Sequence, residues 1–100
     1  MIELGGNISL EGFKDVDNSE MTIIKKIVGN STKKINDYCK SFEKFKVVLK
    51  NIHSTEGSKK FELNVSVLNA GQLTTSQVVD RNLFIGLSSA IRKIETQLNK

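Results

Sequence analysis

The spacing of apolar residues changes three times along this chain of 100 residues, from alternation to a helical period, back to alternation and then to a helical period again. Residues 61–68 alternate most regularly, with polar or charged residues between the side chains of Phe61, Leu63, Val65 and Val67. A period of two places successive side chains on opposite faces of a β-strand. The segment therefore predicts a strand that buries one face and exposes the other.

Three other segments predict strands, namely residues 1–13, 45–50 and 73–79. Gly5 and Gly6 interrupt the first of them, so we expect one or two strand pieces there with a turn or bulge. A polar loop at residues 54–58 and a turn at residues 69–71 separate the later strands. The second half of the chain therefore predicts a series of strands that follow one another through short connections.

Two segments predict amphipathic helices, residues 19–40 and 81–98. At about 100° per residue, the apolar residues of each segment fall on one half of the helical wheel. In the first segment they are Met21, Ile23, Ile24, Ile27, Val28, Ile35, Tyr38 and Cys39, and Phe42 continues the stripe. The stretch from Gly29 to Thr32 weakens the middle of this helix and allows a kink or a break. Asp17 or Ser19 is placed to cap the first helix, and Asp80 the second.

The resulting order, β-α-β-β-β-α, predicts an α+β two-layer sandwich in which a four-stranded sheet carries two helices packed on one face. The other face of the sheet is expected to turn polar side chains to water, among them Lys46, Lys50 and Glu62. A chain of this length has room for one hydrophobic core. We therefore expect one domain over residues 1–100, with residues 1–6 as an N-terminal extension, and a monomer when free.

The cations are more numerous than the acids, and their distribution is informative. Fifteen Lys and Arg residues against eleven Asp and Glu residues give a net charge of +4. Lys26, Lys33 and Lys40 recur every seven residues, opposite the apolar stripe of the first helix, and we place Lys25 beside them. The second helix directs Arg81 and Arg92 outward with Ile85 between them. A lysine stripe is also an ordinary solvated face, but an exposed isoleucine between two arginines favours a partner surface.

The sequence contains few candidate residues for catalysis or for binding a metal. Cys39 has only His53 as a base or a second ligand, so we expect neither nucleophilic catalysis nor a zinc site. No phosphate-binding loop follows Gly5-Gly6. No apolar run approaches the ~18 residues of a membrane span, and no charged-then-apolar leader opens the sequence. We therefore expect a cytoplasmic protein that is not an enzyme and that uses no cofactor and no metal.

Several local patterns, in the order in which they occur, resemble the ribosome hibernation promoting factor and ribosome-associated inhibitor family in its short, single-domain form. Ile8-Ser9-Leu10-Glu11-Gly12 is similar to the family's opening strand and glycine, and Phe45-Lys46-Val47-Val48-Leu49-Lys50 to its second strand. The best match is in the last helix, with Phe84, Leu87, Ile91, Lys93, Ile94, Gln97, Leu98 and Lys100 at the family's spacing. The resemblance covers most of residues 7–100, with the same order of elements.

This resemblance implies a translation inhibitor of the stress response that binds the small ribosomal subunit and blocks the cleft occupied by tRNA and mRNA. The basic helix surfaces provide a physical means, because lysine and arginine neutralise rRNA phosphates. The candidate RNA-binding residues are Lys25, Lys26, Lys33 and Lys40 on the first helix, Arg81, Arg92 and Lys93 on the second, and Lys46 and Lys50 on the open sheet face.

Two other functions are compatible with the same residues. In the first, the protein is an interaction module that docks another polypeptide on its sheet face or edge strand, and the lysines only keep it soluble. In the second, it binds double-stranded RNA, although the start of the last helix carries Asp80-Arg81 rather than a lysine cluster. Steep salt dependence of RNA binding distinguishes an RNA-binding role from the first alternative.

Overall fold

The computed structural model describes the backbone of residues 2–3, 7–39, 41–53 and 59–98. The elements are β1 (Ile2–Glu3), β2 (Ile8–Glu11), α1 (Asn18–Tyr38), β3 (Phe42–His53), β4 (Lys59–Asn69), β5 (Gln72–Asp80) and α2 (Leu83–Leu98). The predicted β-α-β-β-β-α order is confirmed, with the first strand divided into the two pieces β1 and β2. The loop expected at residues 54–58 lies outside the described residues.

The five strands form one mixed sheet in the order β1-β2-β3-β4-β5. Strands β2 and β3 are parallel, and every other neighbouring pair is antiparallel. The parallel pair follows from the connection, because the chain crosses through α1 and returns in the same direction. Strand β1 lies at one edge, in the segment expected to be an extension, and β5 lies at the other edge.

The hydrophobic core lies between the sheet and the two helices. Phe45, Val47 and Leu49 of β3 face Val67, Val65 and Leu63 of β4 across the antiparallel ladder, and all six are buried. The helices cover this surface with residues at helical spacing, namely Ile24, Val28 and Ile35 of α1 and Leu87, Ile91 and Ile94 of α2. The predicted two-layer sandwich is confirmed.

Strands β4 and β5 are joined by a turn of two residues, Ala70 and Gly71, with φ values of 51° and 77°. Positive φ at both central residues is the geometry that matches the twist of a β-hairpin. The Ala70 N–H donates to the carbonyl oxygen of Ser41 (3.0 Å), and the Gly71 N–H donates to Oε2 of Glu43 (2.9 Å). The turn predicted at residues 69–71 is therefore tied to β3 and to the residue before it.

Helix α1 differs from the prediction in its ends and in its stripe. It runs unbroken past Gly29 and ends at Tyr38, so the allowed kink is absent. Ile23 and Tyr38 were predicted to be apolar-stripe residues, but their side chains are 48% and 41% exposed. Both lie to one side of the buried centre of the stripe, which is formed by Ile24, Val28 and Ile35. Phe42, expected to continue the stripe, belongs to β3.

The helix caps also differ from the prediction. Asp17 occupies the capping position of α1, but its side chain makes no capping hydrogen bond and instead accepts one from the Ser19 hydroxyl (2.7 Å). At α2 the cap is Asn82, whose Oδ1 accepts from the Ile85 N–H (3.0 Å). Asp80 is the last residue of β5 and accepts from the Asn82 N–H (2.8 Å). Asp80 therefore shapes the turn into the helix rather than capping it.

Candidate nucleic-acid interface

Helix α1 presents its candidate cations to solvent. Lys25, Lys26 and Lys33 are all exposed. Lys26 and Lys33 lie seven residues apart, about 10 Å along the axis, on the side opposite the buried Val28 and Ile35. Lys25 lies about 100° further round the helix, so it flanks this row on one side. The fourth candidate, Lys40, lies outside the described residues.

Helix α2 and the turn before it carry three more exposed cations. Arg81 precedes the helix, and Arg92 shares the outward row with Ile85, whose side chain is 57% exposed. The exposed isoleucine predicted between the two arginines is therefore present. Lys93 is directed toward the sheet instead, because its Nζ lies 3.5 Å from the carbonyl oxygen of Gln77 in β5. Arg81 and Arg92 are thus on the outer helix surface, while Lys93 lies over the edge of the sheet.

The two candidates on the open sheet face are paired with acids. Lys46 Nζ lies 3.4 Å from Glu11 Oε2, and Lys50 Nζ lies 3.9 Å from Glu62 Oε2. Within the described ranges these are the only ion pairs, so none of the six described candidates on or just before the helices has a carboxylate within 4 Å. Cations already paired with carboxylates attract phosphate less than free ones do. The two candidates on the open sheet face are therefore less available to phosphate than the candidates on the helices.

Glu62 is the centre of a polar network on the open face. Its carboxylate accepts hydrogen bonds from Asn64 Nδ2 (3.0 Å) and Gln77 Nε2 (2.8 Å) and lies beside Lys50. The Asn64 amide is the main cause that lowers the pKa of this carboxyl below its ordinary value, with smaller help from Gln77 and Lys50. Glu62 thus remains ionised and neutralises the middle of this face.

The N-terminal end of α1 is acidic. Asp15, Asp17 and Glu20 line an open cleft of about 440 Å³ together with Gly12 and Leu83. Carboxylates at a helix N-terminus interact favourably with the positive end of the helix dipole, and they repel phosphate. The exposed cations Lys25, Lys26 and Lys33 therefore lie beyond the acidic start of α1.

Residues with catalytic or ligating potential are not assembled. Cys39 is buried, and desolvation raises the pKa of its thiol, which keeps it protonated at neutral pH. The side chain of His53 lies outside the described residues. No cluster of three His, Cys, Asp or Glu suited to a metal occurs in the described part of the chain. Among the helices described, none combines the length and the apolar character needed to cross a membrane.

The fold is similar to that of solved structures of other proteins. The chain is similar to the N-terminal domain of Protein Y from Thermus thermophilus, with a TM-score of 0.62, 15% identity and coverage of 94% of both chains. It is also similar to a ribosomal subunit interface protein from Coxiella burnetii, with a TM-score of 0.60, 14% identity and coverage of 92% of both chains. No protein-family model and no curated protein matches the sequence. At such low identity, the comparisons establish a shared fold over nearly the whole chain.

Sequence reasoning missed two features of this surface. Lys34 is exposed on α1, about 100° from Lys33, and was left out because it does not fall in the seven-residue series. The pairing of Lys46 with Glu11 was also missed, since it depends on β2 lying parallel to β3. Lys34 was visible in the sequence as the residue next to Lys33. The pairing of Lys46 with Glu11 could be found only once the order of strands in the sheet was known.

Proposed function

We propose that this protein binds the small ribosomal subunit through rRNA and inhibits translation by occupying the cleft for tRNA and mRNA. The observation that carries the proposal is the set of exposed candidate cations on or just before the helices that have no carboxylate within 4 Å among the described residues: Lys25, Lys26, Lys33, Arg81, Arg92 and Lys93. The shared fold supports it, because one of the similar structures is named a ribosomal subunit interface protein. The protein would act in the cytoplasm, as a hibernation factor used under stress.

The proposed mechanism is steric and involves no chemical step. Lysine and arginine side chains contact phosphate oxygens and fix the position of the protein on folded RNA without reading its sequence. The core behind them is continuous with a five-stranded sheet, so the bound surface is backed by a rigid layer. A rigid body held over the cleft excludes tRNA from the same volume. Bound protein should therefore block tRNA binding to the small subunit without modifying the RNA.

The test is co-sedimentation with small ribosomal subunits at low salt, using charge reversal. The triple variant Lys26→Glu, Lys33→Glu, Arg92→Glu changes exposed helix positions only, so the core remains intact. We expect it to lose binding, because each reversal replaces an attraction to phosphate with a repulsion. Initiator tRNA binding to the subunit should be inhibited by the wild type and not by this variant.

The matched control is Lys44→Glu, Lys46→Glu, Lys50→Glu, which makes the same charge change on the open sheet face. We expect this control to retain most of the binding. If the control abolishes binding and the helix variant does not, RNA contacts the sheet and the proposed surface is wrong. If the wild type does not sediment with subunits at low salt, the proposed function is wrong. Equal binding to any double-stranded RNA would favour the double-stranded-RNA alternative.

A further inference from the structure

Strand β5 forms an edge of the sheet, and its hydrogen-bonding groups can be assigned to two sides. Asn69 and Gln72 pair across the two-residue turn, so their backbone groups bond to each other. Hydrogen-bonded pairs then recur at every second residue, which directs Thr74, Ser76 and Val78 toward β4. The N–H and C=O groups that face away from β4 therefore belong to Leu73, Thr75, Gln77 and Val79.

This edge lacks the usual features that prevent strands from pairing with other chains. Edge strands are commonly protected by charged residues, proline or a bulge. Residues 72–79 contain no charge and no proline, and the register between β4 and β5 is regular throughout. Leu73 and Val79 are 64% and 48% exposed. The edge is therefore long, regular and partly apolar, as is typical of a strand that accepts a partner strand.

The sequence of β5 is complementary to itself in an antiparallel arrangement. A two-fold axis at Ser76 places Thr75 opposite Gln77 of the second copy and Leu73 opposite Val79. These four residues are those with outward hydrogen-bonding groups, so backbone pairing and side-chain matching occur in the same register. Pairing through a two-fold axis also closes the assembly, because each copy contributes the same strand to the contact.

Two side chains of α2 occupy the centre of this edge. Lys93 Nζ lies 3.5 Å from the carbonyl oxygen of Gln77, and Gln97 Nε2 lies 3.3 Å from the carbonyl oxygen of Thr75. Both distances are long for hydrogen bonds, so the contacts are weak. They nevertheless cover the two carbonyls on either side of the axis. In a dimer the ammonium groups of both Lys93 residues would also approach each other.

We propose that β5 pairs antiparallel with β5 of a second copy of this chain, centred on Ser76, and that Lys93 and Gln97 restrain this pairing. The product is a continuous sheet across the two copies, in which Leu73 and Val79 cover one another. This inference concerns the sheet edge and does not depend on the proposed ribosome binding. It predicts a weak, concentration-dependent dimer for the wild type.

The test is sedimentation equilibrium of the full chain over a range of concentrations. The double variant Lys93→Ala, Gln97→Ala should dimerise about tenfold more tightly than the wild type, because two competing contacts and one repulsion are removed. Higher salt should strengthen the wild-type dimer by screening the two lysines, which is the opposite of its effect on RNA binding. The control Lys14→Ala makes the same charge change in the loop after β2 and should leave the affinity of the dimer unchanged.

A third change identifies the surface. Thr75→Pro, added to the double variant, removes an outward N–H and no bond to β4, and it should return the protein to a monomer. Amide hydrogen exchange gives an independent measurement, since Thr75 and Gln77 should become protected as the concentration rises. The proposal is overturned if the double variant has the affinity of the wild type, if its dimer survives Thr75→Pro, or if these two amides exchange fast in the dimer.

Discussion

Two glycines that look alike in the sequence have opposite roles. Gly12 has a φ of 86°, and a Cβ atom there would overlap the carbonyl oxygen of Leu49. Gly12→Ala should therefore lower the free energy of unfolding by about 2–4 kcal/mol, from the left-handed backbone and the steric conflict together. Gly29 lies within α1 with no atom within 4 Å of its Cβ position, so Gly29→Ala should raise the same quantity by about 1 kcal/mol.

Urea unfolding of both glycine variants measures these changes, and each serves as the control for the other. The same methyl group is added in both cases, so a common effect of the alanine side chain cannot explain opposite signs. Equal stability of Gly12→Ala and the wild type would show that the close approach of β2 to Leu49 is not required for the fold.

The ionisation of Glu62 predicts a pH dependence of stability. The pKa of this carboxyl is lower in the folded protein than its ordinary value. The contribution of the ionised carboxyl to the free energy of unfolding is therefore fully present above its ordinary pKa. It is lost as the pH falls through the lower pKa of the folded protein. In thermal unfolding, Glu62→Gln should lose less stability than the wild type as the pH is lowered through these two pKa values. An identical pH profile of the variant would mean that the network with Asn64 and Gln77 adds nothing.

Among the elements, the β4–β5 turn has a residue that does not suit its geometry. Ala70 adopts a φ of 51°, which costs a residue with an ordinary side chain about 1 kcal/mol or more. Asn-Gly is the preferred pair for a turn of this kind, and the bond from the residue 70 N–H to Ser41 is a backbone bond that any residue except proline retains. Ala70→Asn should raise the free energy of unfolding by about 1 kcal/mol, measured by urea unfolding. A decrease would contradict the assigned turn geometry.

The strands and helices were largely predictable because each carries its own period. The alternation in residues 61–68 and the stripe in residues 83–94 depend only on which face of the element is buried. Helix ends and caps were less predictable. Asn82 and Asp80 are both capping residues by type, and only the position at which β5 ends decides between them. The 48% exposure of Ile23 was likewise not predictable from its position on the edge of the apolar stripe alone.

At the scale of the whole molecule, charge is divided between faces. On the open sheet face Lys46 and Lys50 are paired with Glu11 and Glu62, the start of α1 is acidic, and the candidate cations of the helices have no carboxylate within 4 Å among the described residues. The sequence located these cations by helical spacing. It did not reveal that Lys46 and Lys50 are paired, because the partner of Lys46 comes from a strand 35 residues earlier in the chain.

The central claim, that free helix cations bind rRNA phosphates, is tested most directly by the salt dependence of binding to small ribosomal subunits. If all six described candidates on or just before the helices contact phosphates, the logarithm of the binding constant should fall with the logarithm of salt concentration at a slope of about −4 to −5. The variant Lys26→Glu, Lys33→Glu, Arg92→Glu should show a shallower slope as well as weaker binding. Tight binding whose strength does not change with salt would contradict the account.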